Sequence, residues 1–317
     1  MKILVLHNEP KDFKSWLESS CPLDDFIWAS SPDELSLQLK NSQPEVVFSI
    51  KHSEFFGKFH AQALAYPSVR WFQVGGSGTE HLATWDSNRV TVTNSVGVLA
   101  PFHAERAMAA LLSLSTGLGR LRTQQELRVW RPTRFPTLQG KNLLILGYGQ
   151  TGLELAKRAK SFGMRVLGVR RSRFSHQHCD ESYHLGELTE LWERADVLSV
   201  NLRHTAETNE IVDESVLRQL PSRCILLNAA RGKIVDQKAL VTSLNNGQLG
   251  GAWLDVTSPE PLPTDSPLWT MPNVIITPHC ADQTQDFPLR FAHFFRKNLE
   301  RYRRGEKLSN VVSSPSR

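Results

Sequence analysis

Cysteine is scarce in this chain: four among 317 residues, Cys21, Cys179, Cys224 and Cys280, widely spaced and without a C-x-x-C pair. That spacing indicates neither a disulfide-framed scaffold nor a zinc site, and no metal is expected. Long apolar runs are missing as well, since no stretch approaches the roughly 20 apolar residues that would span a bilayer. The opening Met1-Lys2-Ile3-Leu4-Val5-Leu6-His7-Asn8 has an apolar core too short for a secretory signal and reads as a first β-strand. A reducing, soluble setting is expected, most simply the cytoplasm. Repeats and low-complexity tracts are absent too. The net charge of +5 is not gathered into one long run. Its densest basic group, Arg296, Lys297, Arg301, Arg303 and Arg304, is interleaved with Phe294, Phe295, Leu299 and Tyr302. That is the pattern of a terminal helix with one solvated face, and no nucleic-acid recognition motif accompanies it.

What is present is a globular composition, 40% apolar and 22% charged, in a chain whose length suggests about two domains with sizeable cores. Short runs of β-formers at 3–6, 46–50 and 69–74 alternate with helical patterning, as at Ser31-Pro32-Asp33-Glu34-Leu35, where Ser31 reads as a cap and Pro32 as the first helical residue. Such alternation implies parallel pairing, so residues 1 to 99 read as one small α/β unit. A helix between Val98 and Leu121, apolar nearly all round after its first turn, is expected to be buried in a core or across a domain or subunit boundary. After a proline-rich loop at Arg131-Pro132-Thr133-Arg134-Phe135-Pro136, six further strands are expected, beginning at 143–146, 165–169, 197–200, 224–228, 251–256 and 274–277. The tail from Pro288 to Arg304 is helical in pattern.

The second unit opens on Leu143-Leu144-Ile145-Leu146-Gly147-Tyr148-Gly149-Gln150-Thr151-Gly152, an apolar run that ends in G-x-G-x-x-G and is followed by residues of helix-forming composition. The spacing predicts a strand, a tight turn and a helix. Gly147 permits the turn, Gly149 lets backbone approach a pyrophosphate, and Gly152 lets helix pack close on strand, with phosphate at the helix N-terminus. A dinucleotide is the expected ligand of Gly147 to Gly152.

In such a fold an acidic residue at the end of the second strand usually meets the adenosine ribose. Here that place falls at Arg170, within Arg170-Arg171-Ser172-Arg173. Guanidinium groups complement a 2′-phosphate by bidentate, charge-assisted hydrogen bonds, so NADP(H) is favoured, with NAD(H) possible. A solvated basic turn is the plainer reading of the same residues.

Downstream, Leu226-Leu227-Asn228-Ala229-Ala230-Arg231-Gly232-Lys233-Ile234-Val235-Asp236, then Trp253-Leu254-Asp255-Val256, Pro259-Glu260-Pro261-Leu262-Pro263 and Pro272-Asn273-Val274-Ile275-Ile276-Thr277-Pro278-His279 follow in order. Together they closely resemble the D-isomer-specific 2-hydroxyacid dehydrogenases, and the basic turn draws the match toward the glyoxylate/hydroxypyruvate reductase branch. The resemblance implies two Rossmann-like or flavodoxin-like parallel-sheet domains with a cleft between them. Residues 1–99 with 283–317 would form a substrate-binding domain, and 100–282 the dinucleotide-binding domain inserted into it. It also implies a homodimer and closure of the cleft over substrate.

By the same resemblance Arg231 takes the place of the substrate-binding arginine, Glu260 of the carboxylate before Pro-Leu, and His279 of the acid/base. Those residue types suit the chemistry. Reducing a 2-oxo acid needs hydride at C2 and a proton on the carbonyl oxygen, which an imidazolium donates near neutral pH. Glu260 would stabilise that imidazolium, and Arg231 would hold the substrate carboxylate and polarise the carbonyl. Gly75-Gly76-Ser77-Gly78-Thr79-Glu80-His81 matches the family's glycine-rich loop, where the backbone at Ser77 and Gly78 would grip the carboxylate. Lys51 and His52 either reach the same cleft or lie on the surface. Asp255 sits where the family contacts the nicotinamide carboxamide, or else caps a neighbouring loop.

Two stretches depart from the family pattern. Asn201-Leu202-Arg203-His204-Thr205 stands where a proline and an apolar residue are usual, and Arg203 there would add to phosphate affinity. Thr79-Glu80 replaces the usual valine-aspartate, which leaves the substrate preference open. Cys280, directly after His279, reads as packing, because a thiol nucleophile has no step to perform. The expected activity is NADPH-preferring reduction of small 2-oxo acids, glyoxylate or hydroxypyruvate. The alternatives are an NAD-dependent D-2-hydroxyacid dehydrogenase for a bulkier acid and a cofactor-sensing regulatory protein.

Overall fold

The computed structural model describes residues 1–50, 55, 57–79 and 81–314. Lys51, His52 and Glu80 lie outside the described residues. The chain divides into two compact units, residues 1–99 with 284–317 and residues 100–283. No helix among the described residues is long and apolar enough to cross a membrane.

The first unit runs β1 (Lys2–Leu6), α1 (Lys14–Ser20), β2 (Asp25–Ala29), α2 (Pro32–Ser42), β3 (Val46–Ile50), α3 (Gly57–Ala65), β4 (Trp71–Gly75) and β5 (Thr91–Thr93). The second holds α4 (Ala100–Thr116), α5 (Leu118–Glu126), β6 (Asn142–Leu146), α6 (Gln150–Ser161), β7 (Arg165–Arg170), β8 (Glu181–His184), β9 (Val197–Val200), α7 (Glu214–Gln219), β10 (Ile225–Asn228), α8 (Gln237–Asn245), β11 (Gly251–Leu254) and β12 (Val274–Ile276). The chain then returns to the first unit with α9 (Phe287–Arg303) and β13 (Val311–Val312).

In the first unit the strand order is β13-β5-β4-β3-β1-β2, parallel except for β13, which pairs antiparallel with β5. β3 and β4 are buried along their whole length, as strands covered on both faces must be. Helix α9 covers one face through Phe291, Phe295 and Leu299, one helical turn apart; Phe295 stacks on Phe48 at 4.4 Å and on Trp71 at 5.2 Å. A satisfied polar network runs beneath: Gln73 bonds Thr93, Ser95 and Asn298, and Asn298 also bonds the backbone of Ser309 in both directions. Helix α2 begins at Pro32 after Ser31, but the Ser31 side chain makes no cap bond; instead Glu34 accepts the Ser30 amide at 2.8 Å.

The second sheet is fully parallel in the order β12-β11-β10-β9-β6-β7-β8. Six of its seven strands are those the apolar runs predict. The seventh, β8, reads Glu-Ser-Tyr-His and escapes pattern recognition because it is an edge strand, polar and nowhere fully buried. Between β8 and β9 the chain makes two 3-10 turns, Leu185–Glu190 and Trp192–Arg194. Helix α4 is only half apolar in its surroundings: Ala104, Ala107, Met108 and Leu111 pack into one cluster with Leu155, Ala156 and Ala159 of α6, while Glu105 and Arg106 are exposed. The order reverses at β6 and β9, so the carboxyl ends of those neighbours form the crevice where open α/β sheets bind ligands.

Candidate active site

The glycines at the end of β6 have separate physical duties. Gly147 takes φ +97°, and a Cβ there would lie 2.7 Å from the carbonyl of Asn201. At Gly152 a Cβ would come within 2.8 Å of the Gly147 carbonyl oxygen and 2.9 Å of Ile145. Both positions are thus closed to any side chain. Gly149 is the opposite case, since a Cβ would meet nothing within 4 Å. That open space lies at the head of α6, where Gly149 itself is the N-cap and no side chain caps the helix. Uncapped amides facing open space are an anion site, and the fit to a dinucleotide pyrophosphate is direct. Gln150 is exposed and Thr151 half-buried at this helix start.

Tyr148 turns away from that space. Its amide donates to the Val169 carbonyl at 2.8 Å, its ring stacks on Phe174 at 4.6 Å, and it is 5% exposed. Burial pushes its phenol well above the usual range, and its hydroxyl has no hydrogen-bond partner among the described residues. The Tyr148 side chain therefore belongs to the packing under the loop. The reason is the narrow space over Gly168, where a Cβ would meet Tyr148 at 2.6 Å and Cys179 at 2.7 Å.

At the end of β7 the basic turn sorts itself into two kinds. Arg171 pairs with Glu207 at 3.2 Å and Arg173 pairs with Glu187. Arg170 lies over the Phe174 ring at 5.4 Å, and among the described residues neither it nor Arg203 has an acidic partner. Ser172 is exposed beside them. The uncompensated positive charge is consequently at Arg170 and Arg203, not spread over the turn.

Sheet topology assembles the second group. β10, β11 and β12 are consecutive neighbours, so the residues that follow their carboxyl ends, Arg231, Asp255 and His279, lie along one rim. Arg231 is exposed and spends one donor on the Ala230 carbonyl at 2.7 Å. Gly232 beside it is jammed against Thr257, which anchors the Arg231 loop to the segment carrying Glu260. The Glu260 carboxylate divides its two oxygens: one accepts the Thr257 amide at 3.1 Å, and the other meets His279 Nδ1 at 2.9 Å. Fixing Nδ1 in this way orients the ring and leaves Nε2 as the nitrogen outside that pair.

Asp255 is 2% exposed and holds the loop that carries His279. Its carboxylate accepts the Thr277 hydroxyl, the Cys280 amide at 3.1 Å and the Ala281 amide at 3.1 Å, and its carbonyl accepts the His279 amide at 2.9 Å. His279 itself adopts a left-handed φ of +48°, a conformation those four bonds impose. Asp255 thus caps the loop that carries His279. Burial raises the Cys280 thiol, in keeping with packing.

In the first unit the loop after β4 is anchored by its carbonyls: Gly76 accepts the Ser95 amide and Ser77 the Asn94 side chain, each at 2.8 Å. The amides of Ser77 and Gly78 make no hydrogen bond among the described residues, and Ser77 is exposed. Asn94 and Ser95 carried no signal in the sequence, because nothing in a polar pair after a short strand says which loop it will hold.

A family model for the NAD binding domain of D-isomer specific 2-hydroxyacid dehydrogenases matches residues 108–281. A glyoxylate reductase of Korarchaeum cryptofilum is 35% identical over 233 residues, which are 71% of this chain and 69% of that protein. The solved structure of a D-isomer specific 2-hydroxyacid dehydrogenase family protein from Aeromonas salmonicida is similar with a TM-score of 0.85 and 30% identity, covering 98% of both chains. A probable 2-hydroxyacid dehydrogenase from Rhizobium etli, solved with NADP, HEPES and L(+)-tartaric acid, matches with a TM-score of 0.81 and 25% identity over 98% of both chains. The chain belongs to the D-isomer-specific 2-hydroxyacid dehydrogenases, and is an oxidoreductase with a nicotinamide-cofactor domain.

Proposed function

We propose that this enzyme reduces small 2-oxo acids, glyoxylate and hydroxypyruvate foremost, with NADPH preferred over NADH, giving the D-2-hydroxy acid where the product is chiral. The observation that carries the reading is the 2.9 Å pairing of His279 Nδ1 with Glu260, set on the same rim as Arg231. The likeness to a glyoxylate reductase supports the substrate class, and the NADP-bound relative supports the cofactor.

When bound, the nicotinamide supplies hydride to C2 of the acid. The amides at the start of α6 would hold its pyrophosphate, and Arg170, Ser172 and Arg203 its 2′-phosphate. Arg231 binds the substrate carboxylate and draws charge onto the carbonyl oxygen. His279 delivers a proton from Nε2 to that oxygen, and Glu260 stabilises the cationic ring before the transfer. Asp255 keeps the His279 loop in place. In the first unit, which is assigned to substrate binding, the Ser77 and Gly78 amides are assigned to the same carboxylate. A homodimer is part of the reading, supported by exposed Leu127, Trp130 and Phe135 in one segment of the second unit. Elution at monomer mass at micromolar concentration would contradict it.

The test is a set of initial rates with NADPH and NADH against glyoxylate, hydroxypyruvate, pyruvate and a phenyl-substituted 2-oxo acid. A lower KM for NADH, or preference for the phenyl substrate, replaces this reading with an NAD-dependent dehydrogenase of bulkier acids. Cofactor binding without turnover of any acid replaces it with a cofactor-sensing protein.

A further inference from the structure

His60 has no part in the chemistry above, yet it sits beneath the loop assigned to the substrate carboxylate. It lies in α3 and is 5% exposed. Its Nε2 is 2.8 Å from the hydroxyl of Ser49, near the carboxyl end of β3. Its ring meets Phe72 edge-on at 5.6 Å and His81 at 5.1 Å. The other nitrogen, Nδ1, is buried with no hydrogen-bond partner among the described residues. Whichever tautomer is present, one buried polar nitrogen goes unbonded, which costs about 1–3 kcal/mol. A phenyl ring would fill the same place against Phe72 without that unbonded nitrogen but would take from the buried Ser49 hydroxyl its bond to His60, so it is that bond and not packing alone that an imidazole serves here.

Two close approaches connect His60 to the loop. At Gly57, which opens α3, a Cβ would lie 2.6 Å from the carbonyl oxygen of His81, so helix and loop backbone are in direct contact. At Gly75, which ends β4, a Cβ would lie 2.7 Å from the Ile50 Cα and 3.1 Å from the Ser49 carbonyl oxygen. The Gly76–Thr79 turn is therefore held at one end by Asn94 and Ser95. At the other it is held by α3 through His81, with His60 bonded across to β3. Ser49 is 1% exposed, which excludes a nucleophilic use of the Ser49–His60 pair.

We propose that His60 is a positioning residue for the substrate: bonded to Ser49 and seated against His81, it sets where the Ser77 and Gly78 amides stand relative to the ends of β3 and β4, and so sets affinity for the 2-oxo acid carboxylate. This rests on the assignment of that loop under the proposed function.

Three variants test it by steady-state kinetics with glyoxylate at saturating NADPH. His60→Phe and Ser49→Ala should each raise the KM for glyoxylate about tenfold, with kcat and the KM for NADPH within about twofold of wild type. His60→Gln, whose amide can still bond Ser49, should return the KM to within about threefold of wild type. An unchanged glyoxylate KM in His60→Phe and Ser49→Ala, or failure of His60→Gln to restore it, overturns the proposal. So does a parallel loss of kcat and cofactor affinity, which is what a merely structural defect produces. If His60→Phe does not fold, Ser49→Ala, which removes a single oxygen, decides. A wild-type enzyme inactive on every 2-oxo acid removes both readings, whereas an active wild type with unaffected variants removes only this one.

Discussion

Gly232 and Thr257 are so close that a Cβ on the glycine would lie 2.0 Å from the threonine's carbonyl oxygen. One peptide stretch carries Arg231 and the other leads to Glu260, so this contact sets the spacing of Arg231 from the carboxylate behind His279. Gly232→Ala cannot be absorbed by a side-chain rotation, because the obstacle is backbone. The expected outcome is a fall in kcat/KM of about 10²-fold, the scale of a 1 Å misplacement, with a lowered thermal midpoint. Kinetics within twofold of wild type would show that the two stretches move independently.

His279→Gln should lower kcat by about 10²–10⁴-fold, the usual worth of a positioned general acid, while NADPH binding measured by fluorescence stays unchanged. Glu260→Gln keeps the Thr257 bond available and should cost less, about 10–100-fold in kcat. If Glu260→Gln were as severe as His279→Gln, Glu260 would have a direct role in the reaction beyond holding the ring.

The arginine turn yields an asymmetric expectation. Arg170→Asp should raise the KM for NADPH at least about tenfold and lower that for NADH, because it removes an uncompensated cation and supplies a ribose partner. Arg173→Ala alone should change either constant by less than about twofold, since Arg173 is already spent on Glu187. The paired change shifts preference toward NADH. Equal effects of the two single substitutions would mean that the Glu187 pair opens on binding.

Asp255→Ala removes the acceptor of the Thr277 hydroxyl and of two amides in a buried site. It should destabilise the second unit by about 3 kcal/mol and abolish turnover, as the His279 loop loses its support. Denaturant melts and activity measured on the same preparation check this. A stable but inactive variant would assign Asp255 to the cofactor as well as to the loop.

Acid stability carries a signature of His60, whose burial lowers its pKa from 6.5 to about 4. The unfolded chain therefore takes up the proton first. Stability is full above pH 6.5 and declines as pH falls toward about 4, by about 3 kcal/mol at the limit. Denaturant midpoints at pH 7.5 and 4.5 should differ less in His60→Gln than in the wild type. Equal pH dependence in the two proteins would mean that other groups account for the loss.

Most of the second unit was legible because strands covered on both faces read as near-continuous apolar runs, as β6, β7, β9, β10 and β11 do, and because the edge strand β12 is itself Val-Ile-Ile. The edge strand β8 was not, since at an edge pairing with β7 decides what composition does not. β5 and β13, of three and two residues, are too short to show a pattern. The position of Tyr148 in the glycine motif says nothing about which way its ring turns, and packing on Phe174 decides that.

Read alone, the chain determined where a dinucleotide fold must begin and which residue types could transfer a proton or hold a carboxylate. A glycine's conformational freedom and a strand's burial are properties of the residues themselves. What only the tertiary structure decided was partnership. Glu260 divides between Thr257 and His279, Asp255 faces the loop of His279, and two of three arginines in the turn meet acids. The physical reason is range: hydrogen bonds and ion pairs act over about 3–4 Å, and residues distant in sequence come that close only when the sheet sets its strands side by side.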